Sequence, residues 1–191
     1  MIEGDSIEYE IIQESCATLG DNLLTIEIGV REGKGSATIL DSLKNKKHWH
    51  IGVDPYGNLN YEHYDNAGLI TCDYTNSMRL NLIKSMNYEN FTLLSMGDDE
   101  FMKRFSDGVP IYRDKKELIN KYDLVHFDGP HKTIDVMKEV IFFAERSHAG
   151  TVFIFDDYPK FNMDLILKVI VNEFGFMLLK QGKNKISLKR N

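Results

Sequence analysis

The sequence has little cysteine, little proline and no clustered positive charge. Its 191 residues include two cysteines and four prolines, and the formal net charge is −6. Two thiols far apart, Cys16 and Cys72, are too few for a disulfide framework or a metal–thiolate site, which indicates a reducing compartment and buried structural thiols. The missing basic stripe argues against a nucleic-acid partner, because neutralising phosphates supplies most of that affinity.

Long apolar runs are also missing. No stretch approaches the roughly 18 apolar residues of a membrane span, and the N-terminal MIEGDSIEYE is acidic where a secretory leader is basic and then apolar. We therefore expect a cytoplasmic protein without a membrane partner. The chain contains no repeat, low-complexity tract or Pro/Gly/Ser linker, so it predicts one domain over residues 1–191.

Short apolar runs alternate with helical patterns along the chain. The runs LLTIEI, HWHIGV, FTLLSM, YDLVHF and TVFIF predict strands, and a segment with helical spacing follows each. This alternation predicts a doubly wound α/β fold, with a mostly parallel sheet covered on both faces. Only QGKN separates the last two runs, FMLLK and KISLKR, which predicts an antiparallel hairpin. A first helix is predicted over residues 5–19, capped by Asp5 or Ser6 and ended by Gly20.

A glycine-rich turn follows the first predicted strand, in TIEIGVREGKGSA. Glycines there let the backbone pass close to a ligand, and the next helix offers free N–H groups to a carboxylate. Glu27 is expected to accept a bond from a ligand ammonium or to fix the loop. A turn that serves packing alone remains the alternative. The candidate ligand-binding residues of this turn are Glu27, Gly29, Gly33, Gly35 and Ser36.

Two further strand ends carry residues suited to a nucleoside. Asp54, in HIGVDPYG, has acceptor capacity for both ribose hydroxyls, although an Asp before Pro also starts turns. In LLSMGDDEF, Gly97 can let an adenine lie near the backbone, and Asp98 or Asp99 can accept from its amino group. Either aspartate can equally cap the following helix, and both roles can coexist.

Three aspartates follow the last two strands of the predicted parallel sheet. Asp128 lies in VHFDGPH, and Asp156 and Asp157 lie in FIFDDY. Converging carboxylates repel one another unless a hard cation lies between them, so these residues predict a divalent metal site, with Mg²⁺ preferred. The alternatives are helix capping by Asp128 or Asp157 and salt bridges to Lys132 or Lys160.

Taken together, EIGVREGKGSATIL, IGVDPYG, LLSMGDDEF, YDLVHFDGPH and GTVFIFDDY resemble the successive motifs of class I S-adenosylmethionine-dependent methyltransferases. The closest pattern is a small bacterial subgroup with a D-G-x-H fourth-strand motif, which is similar to metal-dependent O-methyltransferases. The resemblance covers residues 24–158 and implies a Rossmann-like sheet of seven strands. It also implies S-adenosylmethionine as cofactor and metal ligation by Asp128, Asp156 and Asp157.

This resemblance gives each segment of the chain an expected part. Residues 1–20 form the N-terminal helix, and residues 24–106 form the cofactor-binding half. Residues 107–121 are a charged insertion, and residues 122–191 form the metal and acceptor half with the hairpin. The expected activity is O-methylation of a small-molecule or sugar hydroxyl. A metal-dependent sugar-nucleotide transferase and a non-catalytic homologue are the rivals.

The expected base is His131, acting beside Asp128. The subgroup's D-G-D-H is D-G-P-H here, so Pro130 replaces an acidic residue that serves as base in some relatives. His131 then lies where catechol-type enzymes keep a lysine, and an imidazole is suited to taking a hydroxyl proton near neutral pH. A surface position in the first turn of a helix is the alternative.

The segment from Pro55 to Tyr74 shows no clear periodicity but carries four tyrosines, at positions 56, 61, 64 and 74. A long segment without regular structure is unusual in a compact domain, so we expect a lid or wall over the acceptor. The alternative is a short helix around residues 61–67, with tyrosines packed on the domain or on a partner subunit. A glycan or other small-molecule acceptor and a possible homodimer complete the expected partners.

Overall fold

The computed structural model describes residue 2, residue 4 and residues 6–113 and 115–191, apart from the side chains of residues 58, 72 and 73. Six α-helices lie within these residues: α1 (Tyr9–Ala17), α2 (Lys34–Leu43), α3 (Asn76–Ser85), α4 (Asp98–Arg104), α5 (Thr133–Glu145) and α6 (Met163–Phe174). The described strands are β1 (Leu23–Ile28), β2 (His48–Val53), β3 (Gly57–Tyr61), β4 (Ile70–Tyr74), β5 (Phe91–Leu94), β6 (Val109–Tyr112), β7 (Lys116–Ile119), β8 (Leu124–Phe127), β9 (Val152–Phe155), β10 (Phe176–Gln181) and β11 (Ile186–Arg190).

Seven strands form the central sheet in the order β10-β11-β9-β8-β1-β2-β5. The five strands from β9 to β5 pair in parallel. Strand β11 is antiparallel to β9 and to β10. The strand order changes direction beside β1, where β2 lies on one side and β8 on the other, and such a switch point is where open α/β sheets bind ligands. The predicted fold class, including the C-terminal hairpin, is confirmed.

Helices cover both faces of this sheet, so its central strands β1, β8 and β9 are buried along their whole length. All six residues of β1 are buried. On one face, Phe101, Phe143 and Ile166 from α4, α5 and α6 join the larger apolar cluster. On the other face, Ile12 and Ile39 from α1 and α2 join a second cluster. Burying apolar area on both sides of the sheet is the main favourable contribution to folding.

The first helix is shorter than predicted. It begins at Tyr9, and its N-cap Glu8 has a left-handed backbone with φ 62°. The Glu8 carboxylate accepts hydrogen bonds from the backbone N–H groups of Lys183, Asn184 and Lys185, so the helix start is tied to the β10–β11 turn. Ser6 does not cap the helix, since its hydroxyl donates to Asp156. The other predicted cap, Asp5, lies outside the described residues.

Two segments without strand predictions form small antiparallel hairpins. Strands β3 and β4 pair with each other, so the segment from Pro55 to Tyr74 has regular structure at both ends, and residues 62–69 between the strands form a loop without the alternative helix around residues 61–67. Strands β6 and β7 pair within the charged insertion. Strands β3 and β4 are polar and contain little apolar alternation, whereas β6 and β7 have only four residues each, so neither hairpin gives a clear strand signal in the sequence. Among the described residues, no helix has the length and apolar character that crossing a bilayer requires.

Candidate functional site

A cavity of about 1160 Å³ lies at the carboxyl ends of the parallel strands, beside the switch point. The loops after β1, β2, β5, β8 and β9 line it, together with the β3–β4 hairpin. Of the predicted site residues, the cavity is lined by Gly29, Gly35, Asp54, Gly97, Asp98, Asp128, His131 and Asp157, but not by Glu27, Gly33, Ser36 or Asp156. Most of the residues that the motifs pointed to therefore meet in one place.

The loop after β1 passes close to the loop after β8. Gly29 has φ +86°, and a Cβ there would overlap the backbone carbonyl of Asp128. Gly33, with φ +88°, is the N-cap of α2. Both positions favour glycine, because other residues are strained at positive φ. The first turn of α2 thereby faces the cavity through Lys34 and Gly35.

Glu27 is buried below this loop and bonds within the protein. Its carboxylate accepts from the Ser36 hydroxyl and lies 2.8 Å from His126 Nδ1. The ring of His50 continues the network, with Nε2 2.9 Å from Ser36 Oγ. Glu27 and Ser36 therefore join β1 to α2 and β8 inside the protein.

His126 is a residue that the sequence reasoning missed. It pairs with Glu27 across β1 and β8, and its Nε2 has no hydrogen-bond partner among the described residues. Glu27, His126 and Asp128 each offer a ligand atom within 4.8 Å of the others. The sequence signal for this group was the spacing of His126 and Asp128 in VHFD, because residues two apart in a strand share a face. A metal bound here would have to displace the hydrogen bonds of Glu27.

Asp54 joins the loops after β1 and β2. One oxygen accepts from the N–H groups of Val30 (3.0 Å) and Arg31 (2.9 Å), and the other accepts from Tyr56 N (3.0 Å). Burial raises the pKa of Asp54 above its usual value, while the three backbone donors oppose that shift. An ionised carboxylate has about four acceptor positions, so capacity remains for a ligand in the cavity that Asp54 lines.

The loop after β5 places two acidic residues, Asp98 and Asp99, at the cavity. Gly97 is the N-cap of α4, and Asp98 and Asp99 form its first turn. Burial raises the pKa of Asp98, and the neighbouring charge of Asp99 adds to the shift. Behind them the wholly buried Glu139 of α5 also has a strongly raised pKa, through burial and then through Asp98. The sequence reasoning assigned no role to Glu139, whose place in an amphipathic helix gives no signal of this neighbour.

The adjacent residues Asp156 and Asp157 point into different parts of the structure. Asp156 forms an ion pair with Lys185 and accepts from Ser6 Oγ (3.1 Å), Asn184 Nδ2 (2.7 Å) and Asp157 N (2.8 Å). Burial raises the pKa of Asp156, but His126 and Lys185 outweigh it and the net shift is downward. Asp157, with φ 49°, turns toward the cavity.

The expected metal site with Asp128, Asp156 and Asp157 as ligands therefore needs a correction. Donors from the protein occupy the Asp156 carboxylate, and Lys185 already neutralises its charge. The salt bridges considered from the sequence involved Lys132 and Lys160, whereas the structure selects Lys185. Asp128 and Asp157 remain at the cavity, but Asp156 does not fit as a third metal ligand.

His131 is buried where the β3–β4 hairpin lines the cavity, just before α5. Its Nδ1 lies 2.8 Å from His63 Nε2, and its Nε2 lies 3.7 Å from Asp157 Oδ2. Burial lowers the pKa of His131, and the charge of Asp157 opposes that shift. The imidazole is therefore unprotonated near neutral pH, as a general base must be.

The β3–β4 hairpin forms an aromatic wall of the cavity. Tyr61, His63, Tyr64 and Tyr74 line it. The Tyr64 ring stacks on His131, with centroids 5.7 Å apart. Tyr56 differs from the other three, because it is buried and its hydroxyl donates to the backbone carbonyl of Arg31.

A protein-family model matches most of the chain. Residues 26–158, more than half of the chain, match the family model Methyltransf_24, described as a methyltransferase domain. No curated protein sequence matches the chain significantly.

Solved structures share the fold at low sequence identity. SMU.1697c, a putative methyltransferase from Streptococcus mutans in complex with SAH, is 10% identical over 100% of both chains, with a TM-score of 0.60. Cofactor-bound Rv0187 from MTB is 11% identical over 100% of this chain and 84% of its own, with a TM-score of 0.62. The calicheamicin methyltransferase CalS11 is 13% identical over 95% of this chain and 76% of its own, with a TM-score of 0.57.

Proposed function

Because the chain belongs to this methyltransferase domain family, we propose that it transfers a methyl group from S-adenosylmethionine to a hydroxyl oxygen of a small molecule or sugar. The observation that carries the proposal is one cavity that joins Gly29, Asp54 and Asp98 to His131 and the aromatic hairpin. Its two ends differ in chemistry, as a site for a nucleoside cofactor and a separate acceptor requires.

The cofactor end of the cavity comprises the loops after β1, β2 and β5. Gly29 and Gly35 line this end of the cavity, where the methionine part would lie, and Lys34 at the start of α2 suits its carboxylate. Asp54 would accept from the ribose hydroxyls, and Asp98 from the adenine amino group. When bound, the cofactor supplies the electrophilic methyl group.

The acceptor end comprises His131, Asp157 and the hairpin. Transfer needs the acceptor oxygen in line with the methyl group and shielded from water, so positioning supplies much of the catalysis. His131 would take the hydroxyl proton at Nε2 as the oxygen–carbon bond forms. The carboxylate of Asp157, 3.7 Å from that nitrogen, would stabilise the resulting imidazolium.

The proposed transfer involves no metal ion. The sequence resemblance implies metal-assisted transfer with Mg²⁺, but Lys185 and three other donors occupy Asp156. The proton transfer assigned to His131 does not require a cation.

Two solved structures support the cofactor and the acceptor class. The Streptococcus mutans methyltransferase is described in complex with SAH. CalS11 is described as a TDP-rhamnose 3'-O-methyltransferase. These descriptions concern those proteins, and they favour a nucleoside cofactor and a hydroxyl acceptor for this chain.

Calorimetric titration with S-adenosylhomocysteine tests the cofactor half of the proposal. We expect a saturable binding heat with the intact protein and none with a nucleotide sugar. Binding of the nucleotide sugar alone would favour the rival transferase. A mass-spectrometric screen of hydroxylated acceptors, for products one methylene heavier, tests the acceptor half. Products methylated on nitrogen or carbon instead would overturn the assignment to oxygen.

A further inference from the structure

A second histidine contacts His131 from the hairpin. His63 follows β3, and its Nε2 lies 2.8 Å from His131 Nδ1. The two rings meet edge to face, with centroids 4.5 Å apart and an interplanar angle of 80°. The other nitrogen of each ring, Nδ1 of His63 and Nε2 of His131, has no hydrogen-bond partner among the described residues. The shared bond therefore governs where His131 carries its proton.

The backbone holds the two rings in register. The His131 N–H donates to the carbonyl of His63 (3.0 Å), and Tyr64 forms a bridge with His131. On either side of His63, Glu62 pairs with Lys132, and Asp65 accepts from the backbone N–H (3.1 Å) and the hydroxyl of Thr133. Several independent links thus fix the hairpin against the loop before α5.

We infer that His63 is a positioning residue that holds His131 in the tautomer with its proton on Nδ1, leaving Nε2 free to accept the proton of the methyl acceptor. This inference rests on the proposed function, because it gives His63 a part only if His131 is the base. It assigns a role to the hairpin beyond that of a wall.

The chemistry follows from the two possible directions of the shared bond. If His131 Nδ1 donates to His63 Nε2, the Nε2 lone pair of His131 faces Asp157 and the cavity. If His63 donates instead, His131 carries its proton on Nε2 and cannot act as a base. In the first arrangement, the acceptor oxygen loses its proton to Nε2 as it gains the methyl group. The imidazolium then donates from Nδ1 to His63, and it later returns the proton from Nε2 to solvent.

The neutral state of His63 suits its role as the acceptor of the hydrogen bond from His131 Nδ1. Burial and, to a smaller extent, the charge of a protonated His131 lower the pKa of His63 from the usual 6.5 to about 4. A neutral His63 has one ring nitrogen with a lone pair, and in the proposed arrangement this is Nε2, which accepts from His131 while His131 carries the transferred proton. A ring that binds a proton readily would compete with His131 for it.

Nitrogen-15 NMR of the histidine side chains tests the tautomer without an acceptor. At mildly alkaline pH, where both rings are neutral, we expect the His131 ring of the intact protein to carry its proton on Nδ1. The signal is assigned by its loss in His131→Gln. In His63→Phe the proton should move to Nε2, whereas in His63→Gln, whose side-chain carbonyl can accept the same bond, it should stay on Nδ1. A proton on Nε2 in the intact protein, or no change in His63→Phe, would overturn the inference.

Glu62→Gln is the matched control, because it weakens the neighbouring link to Lys132 and leaves both rings in place. It should leave the His131 tautomer unchanged. The same shift in Glu62→Gln as in His63→Phe would mean that the placement of the hairpin, and not the bond from His63, sets the tautomer.

Two further measurements separate this inference from the proposed function. His63→Phe should bind S-adenosylhomocysteine as the intact protein does, since it lies at the acceptor end. If the intact protein does not bind that compound, the proposed function fails, while the NMR result still decides the tautomer. With an acceptor from the screen, His63→Phe should lower kcat by about tenfold or more with little change in KM, and His63→Gln should restore most of it. An unchanged kcat in His63→Phe would contradict the inference.

Discussion

Lys185 and Asp156 form an ion pair in which the two side chains are 0% and 1% exposed. Lys185 also donates to Ser6 Oγ (2.6 Å), and its ammonium lies 5.1 Å from the centroid of the Tyr9 ring. The pair connects the end of β9 to the start of β11 beneath the N-terminal segment. It lies behind the cavity, and its charges balance each other inside the protein.

Removing one partner of this pair should destabilise the fold. Lys185→Met leaves an uncompensated buried carboxylate, and such losses cost about 3–5 kcal/mol. We expect urea unfolding, followed by circular dichroism, to show a midpoint lowered accordingly. The double variant Lys185→Met/Asp156→Leu should recover most of the loss, because no buried charge remains. A single variant as stable as the intact protein would contradict the structural reading of the pair.

Chelation should leave turnover unaffected. Because Lys185 neutralises Asp156, only Asp128 and Asp157 remain of the three aspartates first expected to bind metal. With an acceptor in hand, EDTA should change the rate by no more than about twofold, and Mg²⁺ titrated into the protein with S-adenosylhomocysteine should give no binding heat. Loss of activity in EDTA that Mg²⁺ restores would return the metal to the mechanism.

Stability should fall as the pH is lowered through the range of His50. Burial lowers the pKa of this ring from the usual 6.5 to about 3, and it lies between Thr25 and Ser36. Between those two values the unfolded chain binds the proton and the folded chain does not. The stability that the neutral His50 ring contributes is therefore complete above about pH 6.5 and is lost as the pH falls toward 3. The loss is on the order of 1.4 kcal/mol for each unit by which folding lowers the pKa.

Unfolding free energies measured across this pH range test the role of His50. His50→Gln should flatten the dependence, although His63 contributes in the same direction because burial lowers its pKa to about 4. His148→Gln, at a side chain 44% exposed, is the control and should keep the slope of the intact protein. Equal slopes in the intact protein and His50→Gln would refute the assignment.

Asp54→Ala should weaken binding of S-adenosylhomocysteine by at least about tenfold. The variant removes the proposed ribose acceptor and frees the N–H groups of Val30 and Arg31, a loss of roughly 1–3 kcal/mol. Calorimetry measures the affinity directly. Asp123→Asn is the matched control, because Asp123 holds the N–H of Leu24 at the opposite end of β1. Unchanged affinity in Asp54→Ala would remove Asp54 from the cofactor site.

Tyr61→Ala and Tyr64→Ala should raise the KM for the acceptor by about tenfold, which corresponds to ~1.4 kcal/mol. Both rings line the acceptor end, so the affinity for S-adenosylhomocysteine should change little. Tyr112→Ala, in the other hairpin and 62% exposed, is the control and should change neither value. A parallel loss of cofactor affinity would show that the hairpin acts on the whole cavity.

The sequence alone determined the frame of the molecule. A strand buried on both faces is mostly apolar, so LLTIEI and VFIF could be recognised as strands from their own residues. Parallel strands end at the same edge of the sheet, and the residues after them must therefore meet there. For that reason Gly29, Asp54 and Asp128 could be placed at one cavity before any distance was known.

Only the tertiary structure decided which polar groups pair. Asp156 and Asp157 are neighbours in sequence, but Asp157 has a left-handed backbone. As a result, Asp156 pairs with Lys185 and Asp157 faces the cavity. His63 and His131 are 68 positions apart, and the hairpin that joins them has a weak strand pattern. A hydrogen bond between distant residues depends on the path of the whole chain, and local propensity carries no record of that path.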